Sequence, residues 1–270
     1  DKLKNITGAS YACVMNSATS ALHAACFAAG IAEGDEVIVT PFTFMASANC
    51  ILYMGAKPVF ADIDMETYNI SPDSVREKIS ERTKAVIAVD YAGEVVDADS
   101  IREICDEHSL VFIEDAAHGI GSKYKGKPCG SYADITCMSF HPVKTVTAGE
   151  GGALLTDNEA YAKRAALFRS HGMEHDHGLI DYAGDDGDFG SWYYDQVFLG
   201  YNYRMADISA ALLISQLDKL DRFSELRKRL VKRYDEAFSE VPEIITQKSP
   251  EYSDATRHLY TIRLDLDRLS

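Results

Sequence analysis

The chain has 270 residues, and its 27 Lys+Arg against 42 Asp+Glu give a formal net charge of −15. That balance excludes a protein that grips nucleic acid through a basic surface, since such binding needs Lys and Arg to displace phosphate counterions. With 46% hydrophobic and 26% charged residues the composition is that of a globular chain, which excludes disorder and leaves ample apolar side chain for a core.

The length allows one large domain or two ordinary ones. The N-terminus, Asp1-Lys2-Leu3-Lys4, has no initiator Met, as in a fragment or a processed chain. It enters almost at once into ordered-looking sequence. The first helix signal is Ala18–Ala29, opened by Asn16-Ser17-Ala18-Thr19-Ser20. Hydroxyl residues at a helix start are N-caps, and the free N–H groups and positive dipole end there also suit a phosphate. A strand at Val37–Thr40 runs into Pro41-Phe42-Thr43-Phe44, whose aromatics pack a core or stack on a planar ring, and a helix follows over Phe44–Met54. Pro58–Asp62 is a second strand. Ser71-Pro72-Asp73 places a capping hydroxyl before Pro at a first helical position and starts the helix Ser74–Ile79.

Strand Ala85–Val89, helix Ser100–Glu107 and strand Leu110–Ile113 continue the alternation, and Glu114-Asp115-Ala116-Ala117-His118 lies where that last strand ends. Open α/β sheets place ligands at the carboxyl ends of their strands. Asp115 there is either a helix cap or an acid that holds a pyridine nitrogen protonated. Strand Ile135–Phe140 leads into His141-Pro142-Val143-Lys144 and the Gly-rich Ala148–Gly152. A lysine just beyond a buried strand is either a surface cation or, desolvated, a Schiff-base nucleophile. Strand Ala153–Thr156 and helix Glu159–Arg169 follow. The strands are apolar nearly throughout, as strands covered on both faces are, and predict an α/β fold with one mostly parallel sheet flanked by helices.

Gly172 to Gln196 reads as a long functional loop. His171, His175 and His177 fall within or beside it without a matched ligand set, so no metal site is expected. Tyr193 and Tyr194 suit a sugar face or a packed loop. A long amphipathic helix from about Met205 to Glu240, interrupted near Asp221, contains the basic run Arg227 to Arg233. Acids flank that run, which reads as a solvated face. His258–Leu264 is a final strand, either joining the sheet or opening a further domain. Gly119, Gly121 and Gly126 do not fit a dinucleotide fingerprint. The six cysteines are scattered and read as reduced core thiols, and no run of about 18 apolar residues and no leader pattern is present. A cytoplasmic protein without membrane or nucleic-acid partners is the expectation.

Six motifs occur together in order: Ser17-Ala18-Thr19-Ser20-Ala21-Leu22, Pro41-Phe42-Thr43-Phe44, Glu114-Asp115-Ala116-Ala117-His118, Ser139-Phe140-His141-Pro142-Val143-Lys144, Glu150-Gly151-Gly152 and Gly200-Tyr201-Asn202-Tyr203-Arg204. Over essentially its whole length the chain resembles the DegT/StrS family of sugar-nucleotide aminotransferases. The resemblance implies a fold type I transferase, the aspartate aminotransferase fold, with pyridoxal 5'-phosphate as cofactor. It implies that Lys144 is the Schiff-base lysine and that Asp115 pairs with the pyridine nitrogen. By the same resemblance Thr19, Ser20 and Ser139 bind the phosphate, Phe44 stacks on the ring, and His118 lies near the phenolic oxygen. Asn202 would reach the cofactor phosphate of a neighbouring subunit in a homodimer. Ala18 stands where many members have Gly.

The implied substrates are glutamate and a nucleotide-linked keto sugar. The Ser139–Lys144 motif, the Trp192-Tyr193-Tyr194 loop and the Gly200–Arg204 run resemble the branch that aminates C4 of UDP-linked 4-keto-6-deoxy-N-acetylhexosamines, as in pseudaminic acid biosynthesis. A TDP-linked sugar or a non-catalytic relative are the alternatives. Residues 1–215 would form the large cofactor domain. Residues 216–270 would form a linker helix and the start of a smaller, truncated domain, since family members carry additional chain at both ends.

Overall fold

Because successive side chains of a strand point to opposite faces, strands that are apolar throughout demand a core on each side of their sheet. The computed structural model, which describes residues 1–175 and 192–269, has that arrangement. Helix α1 (Lys2–Thr7) leads to β1 (Tyr11–Met15), α2 (Ala18–Ala28), β2 (Glu36–Val39), α3 (Ala46–Tyr53) and β3 (Lys57–Phe60). There follow α4 (Pro72–Lys78), β4 (Thr83–Val89), α5 (Ala98–His108), β5 (Val111–Ala116) and a short hairpin, β6 (Lys123–Tyr124) with β7 (Lys127–Pro128). Then come β8 (Ile135–Ser139), β9 (Gly152–Thr156), α6 (Glu159–Arg169) and a two-stranded ribbon, β10 (Met173–Glu174) with β11 (Asp195–Gln196). The chain continues through α7 (Asp207–Leu217), α8 (Leu220–Phe238), β12 (Ile244–Thr246), β13 (Ser253–Asp254) and β14 (Ile262–Leu264).

The main sheet has seven strands in the order β1-β9-β8-β5-β4-β2-β3. From β3 to β8 all neighbours are parallel, while β9 lies antiparallel between β8 and β1. Val37, Val39, Ile87, Ile113 and Ile135 face α2, α3 and α6, where they meet Leu22, Cys26, Ile51 and Phe168. Their strand neighbours Ile38, Val86, Ala88 and Phe112 face α4 and α5, against Val75, Ile101 and Ile104. All six cysteines are buried and unpaired.

Several elements differ from the sequence reading. Strand β1 was not expected; Tyr11-Ala12-Cys13-Val14-Met15 has one β-branched residue and forms only because β9 offers it an antiparallel edge. Helix α4 starts at Pro72, with the Ser71 hydroxyl accepting the Ser74 N–H at 3.4 Å. The long helix is two, broken at Asp218-Lys219, where Lys219 N–H turns back to the Gln216 carbonyl and Lys2 pairs with Asp218 at 2.6 Å. Within His258–Leu264 only Ile262–Leu264 is a strand; it pairs with β12 and does not enter the main sheet. The basic run is only partly a solvated face, since the Arg227 guanidinium is half-buried and donates to the His258 carbonyl at 3.0 Å. No helix among the described residues is long and apolar enough to cross a membrane.

Candidate active site

The carboxyl ends of β4, β5 and β8 and the start of α2 open on one cleft of about 350 Å³. This is the position that a parallel sheet leaves for a ligand. Thr19, Phe44, Asp115, His118, Ser139 and Lys144 all line it.

The cleft floor begins with α2. Ser17 has extended backbone and caps the helix by accepting the Ser20 N–H at 3.1 Å. The first-turn N–H groups of a helix lack internal acceptors, so this end attracts an anion. Ser17 and Thr19 face the cleft, whereas the Ser20 hydroxyl turns away and donates to Asn16 Oδ1 at 2.6 Å. Gly152, the first residue of β9, shows why the strand opens on glycine: a Cβ there would lie 2.3 Å from the Ser17 carbonyl carbon and oxygen. Only a residue without a side chain lets the strand pass the first turn of α2.

Strand pleating divides the two acids of β5. Asp115 shares the face of Ile113, toward α3, and Glu114 shares that of Phe112. Asp115 Oδ2 accepts the Ser47 hydroxyl at 2.6 Å and Oδ1 accepts the Ala117 N–H at 3.1 Å. Thr43 Oγ1 lies 2.9 Å from Ser47 Oγ and completes a short relay. Burial pushes the Asp115 carboxyl above its ordinary range, while Ser47, Ala117 and the Lys144 charge pull it down. Among the described residues this acid has no ion-pair partner, so it is a buried acid in need of a cation or a proton.

Lys144 projects from a turn pinned at both ends. The buried Phe140 donates its N–H to the Gly151 carbonyl and accepts the Ala148 N–H, and Lys144 N–H returns to the His141 carbonyl at 3.0 Å. Burial lowers the pKa of the amine, with Asp115 working the other way. His118 is held by the Ala92 N–H, which donates to Nδ1 at 3.2 Å. Burial, aided by the Lys144 and His258 charges, lowers its pKa to about 3, so the imidazole is neutral and carries its hydrogen on Nε2. Phe44 is 68% exposed and forms one lip of the cleft.

Asn202 does not line the cleft of its own chain. It is exposed beside Asn16, whose Nδ2 donates to its carbonyl at 3.5 Å. Tyr193 and Tyr194 lie outside the lining too, with the Tyr194 ring 5.4 Å from that of His175. His171 and His175 are exposed, and His177 falls outside the described residues. The sequence reading missed Ser47 and Thr43, although their four-residue spacing around a helix start was visible. It also missed His258, whose ring centroid stands 4.5 Å from that of His118 across 140 residues of chain.

Comparison with known proteins gives this cleft a context. The model of the DegT/DnrJ/EryC1/StrS aminotransferase family matches residues 1–269. A UDP-4-amino-4,6-dideoxy-N-acetyl-beta-L-altrosamine transaminase of Campylobacter jejuni is 40% identical over 260 residues, which cover 95% of this chain and 65% of that protein. Among solved structures, Helicobacter pylori PseC, an aminotransferase of pseudaminic acid biosynthesis, superposes with a TM-score of 0.87 at 34% identity, over 98% of this chain and 68% of that one. The PLP form of a sugar aminotransferase, Spr1654, from Streptococcus pneumoniae gives 0.87 at 33% identity, over 98% and 69%. The chain thus spans about two thirds of the length of these relatives. A family model matched from the first residue to the last but one, and relatives aligned along nearly all of the chain, lead to one conclusion: it belongs to the DegT/DnrJ/EryC1/StrS aminotransferase family.

Proposed function

We propose that the protein is a pyridoxal-phosphate-dependent aminotransferase that passes an amino group from glutamate to C4 of a nucleotide-linked 4-keto-6-deoxy sugar. The observation that carries this reading is one cleft holding a lysine stripped toward its free base and a buried acid with no cation of its own. The donor set fits pyridoxal phosphate: a helix start with hydroxyls for an anion, a lone buried acid for a protonated ring nitrogen, and a depressed amine for an aldehyde. When bound, that cofactor supplies a carbonyl that condenses with amines and a ring that withdraws electrons from the carbon losing its proton.

In this reading Lys144, with its amine held toward the free base, would hold the cofactor's aldehyde carbon and, once the amino donor frees it, would move a proton on Nζ. Asp115 would hold the ring nitrogen protonated, with the Ser47 hydroxyl favouring the ionised carboxylate. Thr19, Ser139 and the α2 N-terminus take the phosphate, and Ser20 sets the cap from behind. Phe44 would pack against the ring and His118 would offer Nε2–H. An exposed Asn202 outside its own cleft is what a residue serving a second subunit requires, and Leu199 at 73% and Ile208 at 86% exposure supply apolar surface beside it in sequence for a homodimer contact. We also propose residues 1–215 as the cofactor domain and 216–270 as a linker helix and the start of a smaller domain, a division supported by the separate β12–β14 pair.

The C4 and UDP preference rests on the Campylobacter relative, a transaminase of a UDP-linked 4-amino-4,6-dideoxy sugar. The test is amination by the full-length enzyme of UDP-linked 4-keto against TDP-linked 3-keto and 4-keto sugars, with glutamate as donor and NMR of the product. Turnover confined to a 3-keto or a TDP-linked sugar overturns the preference. If incubation with pyridoxal phosphate gives no visible absorbance band, the cofactor assignment falls with it.

A further inference from the structure

Behind Asp115, on the opposite face of the sheet, three fully buried groups converge: Asp90, Glu114 and Cys129, whose oxygen and sulfur atoms lie within 4.8 Å of one another. The Cys129 thiol reaches Asp90 Oδ2 at 3.5 Å and Glu114 Oε1 at 3.2 Å, and Thr136 donates to Glu114 Oε2 at 2.6 Å. Among the described residues no cation pairs with either acid. Two carboxylates this close in a dry interior cannot both stay ionised. Burial, followed by the Glu114 charge and contact with the Glu114 carboxyl, pushes Asp90 well above its ordinary range, which makes Asp90 the acid that carries the proton. There is no slack around it, for a Cβ on Gly119 would stand 2.6 Å from Asp90 Oδ2.

Asp90 directly follows β4 and begins the turn that touches His118. Its N–H donates to the Asp115 carbonyl at 3.1 Å, and its Oδ1 accepts the Val96 N–H at 3.1 Å, closing the turn from residue 90 to 96 across its base. Inside the turn Ala92 has φ 60 and Gly93 φ 89; a left-handed alanine is costly and persists only where its surroundings hold it. That conformation aims the Ala92 N–H at His118 Nδ1. A Cβ on Gly93 would lie 3.0 Å from the His118 carbonyl oxygen, so the turn and the histidine are packed as one unit.

We propose that Asp90 is a positioning residue of the active site: sharing one proton with Glu114, it clamps the 90–96 turn and thereby fixes His118 with Nδ1 as acceptor and Nε2–H free for the ligand. It rests on the proposed function only for what Nε2–H faces. The tautomer itself is a property of the protein without cofactor.

The test compares Asp90→Asn, which keeps the Oδ1 acceptor and replaces the acid proton by an amide N–H, with Asp90→Ala, which removes both. In cofactor-free full-length protein labelled with ¹⁵N-histidine, the wild type and Asp90→Asn should show His118 as a single Nε2–H tautomer, and Asp90→Ala should show exchange between tautomers. Pyridoxal phosphate should bind Asp90→Ala about tenfold or more weakly, as expected for a lost buried hydrogen bond, with Asp90→Asn rescuing most of the loss. A folded Asp90→Ala protein that retains the single tautomer overturns the proposal. So does an Asp90→Asn protein as impaired as Asp90→Ala, or one equivalent of metal bound to the wild type and lost on Cys129→Ser, since the cluster would then hold a cation and not a proton. Failure of the wild type to bind pyridoxal phosphate would sink the cofactor reading and leave the tautomer test standing.

Discussion

Replacing Ser47 by Ala removes one hydroxyl and leaves the packing of α3 nearly intact, which isolates its effect on Asp115. The 2.6 Å bond from Ser47 is given to a buried carboxylate, and hydrogen bonds to charged groups contribute roughly 1.5–3 kcal/mol. All of that favours the ionised form. Its loss should lower the ratio of ionised to protonated Asp115 at fixed pH about ten- to a hundredfold, at 1.36 kcal/mol per decade. The direction is upward from an acid that burial already raises. By linkage, an acid raised in the folded state contributes stability that is complete below its unfolded value, about 3.9, and lost as pH rises through the folded one. Without cofactor, Ser47→Ala should therefore retain that contribution to higher pH than the wild type. ¹³C NMR of labelled aspartate carboxyls across pH reads the titration directly, and the pH dependence of pyridoxal phosphate binding reads its consequence, with tight binding beginning at higher pH in the variant. Thr43→Val, which removes the outer member of the relay, should act in the same direction and less. An Asp115 titration that stays in place or moves to lower pH in Ser47→Ala would refute the reasoning.

Gly152→Ala should destabilise by about 3 kcal/mol, at the upper end for overpacking, because the added carbon meets backbone and not a movable side chain. Gly149→Ala, with φ 78 and open space around it, should cost only roughly 1 kcal/mol; urea denaturation of the pair checks the ordering. Arg257→Leu leaves the fully buried Glu94 without its partner at 3.0 Å and should cost about 3–5 kcal/mol, so a loss below about 1 kcal/mol would contradict the reading of this ion pair. Glu36 is held down to about 2 by Ser80, then Arg82 and Lys57. Its contribution is present above the unfolded value of about 4.3 and is lost as pH falls toward about 2, so melting temperature should fall less steeply over that interval in Glu36→Gln than in the wild type.

What the sequence disclosed and what it hid follow from the range of the forces involved. Strands β2, β4, β5, β8 and β9 carry their own signal because each is buried on both faces and is apolar over most of its length. Capping at Ser17 and Ser71 is local chemistry, visible in a few letters. Lys144 and Asp115 were legible as a pair because both lie near the carboxyl ends of strands that a parallel sheet must bring to one edge. Strand β1 was not, since its pairing with β9 spans more than 130 residues and its letters are weak. The same holds for Ser47 reaching Asp115 and for His258 meeting His118: each is an ordinary residue whose role exists only once distant segments pack. Asp90 beside Glu114 is a sharper case, because nothing local distinguishes a buried acid from a solvated one.

The central claim is that one amine in this cleft bonds to the cofactor, and reductive trapping tests it most directly. Full-length protein incubated with pyridoxal phosphate, treated with borohydride and digested should yield a single peptide carrying the reduced cofactor, with the modification on Lys144, and Lys144→Ala should yield none. Modification at another lysine, or an equal yield from Lys144→Ala, would contradict the account.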